Sequence, residues 1–124
     1  MLDSSEVMAF VSSTDLARSR LFYEGVLGLR VVEENNYACV LDANGTMVRV
    51  TAVAEVAQPE YTVLGWRVTD LAALASALAG QGVELIRYPE MGQDAPGVWT
   101  TPGGDKVAWF HDPDGNVLSL TEFA

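Results

Sequence analysis

Few side chains in this sequence could do chemistry, and they are scattered. His111 is the only histidine and Cys39 the only cysteine. His111 stands one residue before an Asp-Pro turn, at a strand end where a lone imidazole is ordinarily structural. Asp112 and Asp114 flank Pro113, and their side chains suit fixing a turn better than trading protons. Cys39 lies in an apolar stretch and reads as a small buried hydrophobe. With no second thiol it forms no intramolecular disulfide, which suits a reducing cytoplasm. What remains is a set of arginines and indoles. Arg49, between Val48 and Val50, needs a ligand anion, solvent or an acid of a partner chain. Trp99 follows the Gly/Pro-rich run Met91 to Val98, which leaves two roles open, a lid over a pocket or plain packing. Trp66 and Trp109 read as core residues.

The elements that position these residues repeat. Residues 7–13 read as a strand, Asp15 as a helix cap, and Leu16, Phe22 and Val26 as an apolar helix face ending near Gly25 or Gly28. Strands follow at Leu29 to Glu34, Tyr37 to Asp42 and Thr46 to Val53, with Asn44-Gly45 a hairpin turn. After a linker over 54–60 the series restarts. Tyr61 to Val68 is a strand, Asp70 a cap, and Leu71, Leu74, Ala75 and Leu78 a helix face. Val83 to Tyr88 reads as a strand, 89–104 as a Pro/Gly-rich excursion, and Asp105 to His111 and Asn116 to Glu122 as strands around Asp114-Gly115. Asp15 and Asp70 are 55 residues apart, and the two hairpin turns 70 apart, the difference falling in the excursion.

This order is βαβββ twice, repeat one over 6–53 and repeat two over 61–123 of a single domain, 1–124. The expected fold is α+β: two tandem βαβββ units making a curved eight-stranded mixed sheet, helices on the convex side and a cup on the other. A ferredoxin-like βαββαβ domain with decoration is the alternative, and it leaves the paired hairpins unexplained. With 49% hydrophobic residues in 124, there is enough apolar surface for a real core.

Charge narrows the partners. Seven basic residues against 17 acidic give a net charge of −10, shared equally between residues 1–62 and 63–124. A uniformly negative surface repels phosphate backbones and anionic lipid, so neither nucleic acid nor membrane is expected. The first residues lack the basic and apolar regions of a signal peptide, and no apolar run is long enough to span a bilayer. A cytoplasmic location is the expectation.

Strand alternation predicts which residues line the cup. Met8, Phe10 and Ser12 face it from the first strand, and Val63, Gly65 and Arg67 from the matching strand of the second half. Met47, Arg49, Thr51, Val117, Ser119 and Thr121 face it from the hairpins. If both turns are two-residue loops, Val40 opposes Arg49 and Phe110 opposes Ser119. The candidate ligand-binding set is Met8, Phe10, Val40, Arg49, Val63, Arg67, Trp99, Phe110 and Ser119. Such an apolar, aromatic-edged basin with one or two guanidiniums suits a small organic ligand bearing an anionic group.

Two segments resemble a known family. Asp15-Leu16-Ala17-Arg18-Ser19-Arg20-Leu21-Phe22-Tyr23-Glu24-Gly25-Val26-Leu27-Gly28-Leu29 is similar to the opening of the vicinal oxygen chelate superfamily. Ala108-Trp109-Phe110-His111-Asp112-Pro113-Asp114-Gly115-Asn116-Val117-Leu118 resembles its closing hairpin. That superfamily includes glyoxalase I, bleomycin- and fosfomycin-resistance proteins, an epimerase and extradiol dioxygenases. The resemblance implies a divalent metal held by His, Glu or Gln at four positions, which here are Met8, Arg49, Val63 and Ser119. None of these is an imidazole or carboxylate, so neither metal nor other cofactor is expected. It also implies a homodimer. The expected function is a small-molecule binding protein of the bleomycin-resistance type. The alternatives are a lyase, isomerase or oxygenase with a displaced metal or none, and a structural module.

Overall fold

Both helices begin where an aspartate can satisfy free backbone amides. Asp15 accepts a hydrogen bond from the Arg18 amide at 3.1 Å, and Asp70 one from the Ala73 amide at 3.1 Å. A computed structural model describes residues Met1–Ala124. The chain divides into two compact units, Met1–Ala57 and Gln58–Ala124.

In the first unit, β1 (Met8–Ser13) leads into α1 (Leu16–Arg20), which continues as a π-helical stretch over Leu21–Val26. The widened turn buries the adjacent Phe22 and Tyr23, whereas the 3.6-residue spacing singles out Phe22 alone. Strands β2 (Arg30–Glu34), β3 (Ala38–Ala43) and β4 (Thr46–Ala52) complete a sheet ordered β1-β4-β3-β2. Asn44 and Gly45 both take positive φ, 51° and 95°, the pattern that matches a two-residue turn to strand twist. Pairing across it therefore sets Ala43 against Thr46 and Val40 against Arg49, as expected. β1 lies parallel to β4, with Phe10 opposite Arg49. The buried Ser13 and Ser19 hydroxyls meet at 2.6 Å, which marks the Val11, Cys39, Leu41, Val48 and Val50 side of the sheet as the helix side.

The second unit has β5 (Thr62–Arg67), α2 (Leu71–Gly80), β6 (Trp99–Thr100), β7 (Lys106–His111) and β8 (Val117–Glu122), ordered β5-β8-β7-β6 with β5 parallel to β8. Leu71, Ala75 and Leu78 of α2 are buried, whereas Leu74 is 40% exposed and stands outside the expected face. The Leu71 amide donates to Glu122 at 2.9 Å, which puts Leu118 and Leu120 on the helix side with Glu122. Each unit is thus βαβββ, four strands to a sheet, and the fold is α+β.

Two expectations need correction here. Residues Val83 to Tyr88 are not a strand, despite their β-rich composition. Their only backbone bond to the sheet runs from the Ile86 amide to the Trp109 carbonyl at 2.7 Å. The Gln93 amide takes two more of their groups: its oxygen accepts from the Tyr88 N–H at 2.6 Å, and its nitrogen donates to the Ile86 carbonyl at 2.8 Å and, outside the segment, to that of Gly97 at 2.7 Å. A side chain thereby satisfies groups that a strand would have paired. The edge position falls instead to two residues of the excursion, Trp99 and Thr100.

The second correction concerns the closing hairpin. Its loop is five residues, Asp112 to Asn116, because His111 pairs with Val117. The buried Asp112 carboxylate accepts from the amides of Asp114 and Asn116, each at 2.9 Å, and from the Asn116 side chain at 2.8 Å. Ser119 consequently faces Trp109, and Phe110 faces Leu118. A one-residue slip turns every side chain of a strand over. Phe110 is a core residue on the helix side, 1% exposed, and Trp109 takes the place expected for it.

Candidate functional site

The side of each sheet away from its helix carries the candidate residues. In the first unit this face presents Met8, Phe10 and Ser12 on β1, Met47, Arg49 and Thr51 on β4, and Ala38, Val40 and Asp42 on β3. Met8, Phe10 and Met47 are 45%, 59% and 39% exposed, which is unusual for three neighbouring large apolar side chains on one face. Arg49 stands between Phe10 on one side and Val40 on the other, and enters none of the ion pairs of the chain. Glu33, the next acid in that row, opposes Val40 and so lies two strands away from Arg49, about 10 Å. Asp42 is engaged at the end of the face, its carboxylate 3.7 Å from the Arg30 guanidinium.

In the second unit the equivalent face holds Gly65 and Arg67 on β5, Ser119 and Thr121 on β8, Val107, Trp109 and His111 on β7, and Trp99 on β6. Arg67 is not a free cation, because its guanidinium lies 5.1 Å above the centre of the Phe123 ring. Val63 sits at an irregularity in the β5–β8 ladder and has no cross-strand partner. Ser119 packs on the bare backbone of Gly65, where an added Cβ would come within 2.8 Å of its Oγ. That close approach is what the glycine is for.

Trp99 is held in β6 opposite Val107 rather than hanging free as a lid. Its indole stacks on Trp109 at 6.2 Å and 26°, and Tyr88 meets Trp109 edge-on at 5.2 Å and 86°. Trp109 is therefore an organising residue of this face, not a core residue against α2. His111, expected off this face, lies on it at the exposed end of β7, lining a hollow with Gln58, Glu60 and Tyr88. Sequence reading missed Trp109, Tyr88 and Glu60. The signal for Trp109 was the alternation Val107, Trp109, His111, once the turn is counted as five residues.

Cys39 is fully buried on the helix side, and burial pushes its thiol above the usual range. It offers no nucleophile.

The comparisons with known proteins agree with this architecture. The family described as Glyoxalase/Bleomycin resistance protein/Dioxygenase superfamily matches residues 7–120, and the chain belongs to it. A glyoxalase family protein from Enterococcus faecalis is similar over 98% of this chain and 100% of its own, with a TM-score of 0.78 at 20% identity. A lactoylglutathione lyase from Agrobacterium tumefaciens aligns over 95% and 93% of the two chains, with a TM-score of 0.74 at 16% identity. A genomically encoded fosfomycin resistance protein from Listeria monocytogenes gives 0.74 at 12% identity, over 95% and 92%. At these identities the likeness is one of fold. Among curated proteins, none matches this chain in sequence.

The superfamily's metal can be tested against the side chains present. The four positions carry a thioether, a guanidinium, an isopropyl group and a hydroxyl, from Met8, Arg49, Val63 and Ser119. A thioether and an alkyl group do not hold a hard divalent cation, and a guanidinium repels it. Nor does any group of three His, Cys, Asp or Glu side chains lie close enough to serve elsewhere. The donor set does not fit a metal.

Proposed function

We propose that this chain binds a small apolar or aromatic molecule bearing an anionic group, on the helix-free face of its first sheet and without a metal. The observation that carries the reading is Arg49, an unpaired guanidinium set between Phe10 and Val40, with the exposed apolar side chains Met8, Phe10 and Met47 around it and the nearest acid of its row, Glu33, two strands away. A cation in apolar surroundings gains from an anionic partner, and the planar fork of arginine suits a carboxylate. Function of this kind is sequestration or carriage rather than Lewis-acid catalysis, since the donor set offers no place for the ion such catalysis needs.

The test is calorimetry with a panel of aromatic carboxylic acids. Arg49→Ala is expected to leave the fold intact and to weaken the acid that binds best by about 1.5–3 kcal/mol. Equal binding by the variant means that Arg49 is a solvated strand residue and that the reading is wrong. We also propose a homodimer, because β1 and β5 are sheet edges that a second copy can cover. Native mass spectrometry of dialysed protein reads both claims: a dimer mass with no bound metal is expected, and a monomer or a retained equivalent of metal overturns the corresponding one.

A further inference from the structure

A second hollow lies wholly within the second unit. A cavity of about 600 Å³ opens where the start of β5 meets the segment after α2, and its walls include Tyr61, Tyr88, Met91 and Trp109. That volume falls in the range of small-molecule sites. The rings of Tyr88 and Trp109 stand at 86° to each other, 5.2 Å between centres, so they form two walls of a corner rather than a stack. Glu60 and Glu90 also line the cavity, and no lysine, arginine or histidine does. Neither carboxylate enters an ion pair of the chain. Burial, with the field of Glu60 added, raises the Tyr88 phenol above the usual tyrosine range.

Aromatic faces carry negative charge at their centres and attract a cation whose own hydration is weak. Two uncompensated carboxylates at the same opening favour the same sign of ligand. We propose that the cavity walled by Tyr61, Tyr88 and Trp109 and edged by Glu60 and Glu90 is a binding site for an organic ammonium. A strongly hydrated metal ion does not fit this lining, because rings and a thioether cannot replace its water. An alkylated ammonium does, with its methyl or methylene groups against the rings and its charge toward the acids. The proposal is independent of the Arg49 face, which belongs to the other unit and calls for the opposite charge.

The experiment compares choline with 3,3-dimethylbutan-1-ol, which has the same shape without the charge. Binding is followed by calorimetry and by the indole N–H signals in NMR spectra of the full chain. Choline is expected to bind at least about ten-fold more tightly than the alcohol and to move the Trp109 signal. Glu60→Gln is expected to weaken choline about ten-fold and leave the alcohol unchanged. Tyr61, 70% exposed, can be cut to alanine without disturbing a core, and Tyr61→Ala is expected to weaken choline several-fold. Arg49→Ala is expected to have no effect on choline, so failure of either site reads separately. Equal binding of the two probes, no saturable binding of choline, or a Glu60→Gln variant that binds choline as the parent does would each overturn the proposal.

Discussion

The hairpin between β3 and β4 turns in two residues, Asn44 and Gly45, while the hairpin between β7 and β8 takes five, Asp112 to Asn116. In the first, the register is set by backbone conformation, positive φ at both turn residues, with Asp42 adding one bond to the Gly45 amide at 3.1 Å. In the second it is set by a buried carboxylate that gathers three N–H groups. The lesson is that Asp-Gly and Asn-Gly signal a reversal equally well but fix different registers. One residue of difference decides whether Trp109 or Phe110 looks out of the sheet, and so which aromatic a ligand could meet.

The strongest way to break the comparison is to cut the two aromatics in turn. Phe110→Ala empties a core position and is expected to cost about 3–5 kcal/mol in urea unfolding. Trp109→Ala should cost clearly less, since its indole is only half-buried, and should abolish the stacking signature of Trp99 in near-UV circular dichroism. The reverse ranking would mean that the two-residue register is the true one.

The next effect sharpens the difference between the turns. Asp112→Ala removes the acceptor of three hydrogen bonds and strands buried donors, with an expected loss of about 2–3 kcal/mol. Gly45→Ala forces a Cβ into the left-handed region at φ 95°, for an expected loss of about 1–2 kcal/mol. Chemical denaturation of both variants ranks them. If Gly45→Ala proves the more damaging, the carboxylate is not what organises the second hairpin.

Much of the fold was legible in the sequence because its signals were local. The caps Asp15 and Asp70 and the Asn44-Gly45 turn each rest on residues a few positions apart, and each appears where expected, while the βαβββ order repeats with one strand of the second unit moved to Trp99–Thr100. What was not legible depended on side chains acting at a distance along the chain. Val83 to Tyr88 has strand composition, yet Gln93 occupies its Tyr88 N–H and Ile86 carbonyl. The π-helical stretch that buries Tyr23 has no composition of its own. On the candidate face, the first-unit residues Met8, Phe10, Val40 and Arg49 fell together because a two-residue turn fixed their register. In the second unit the same reasoning, applied to a five-residue loop, exchanged Phe110 for Trp109.

Gln93 is also a clasp that hangs on one side chain. Its nitrogen donates to two carbonyls, those of Ile86 and Gly97, while its oxygen holds the Tyr88 amide. Hydrolysis of that one amide to a carboxylate would leave the last bond in place and turn the other two contacts from attraction to repulsion between oxygens. Loss of that one amide would therefore release Ile86 and Gly97 from each other, loosening the residues between them without breaking the chain.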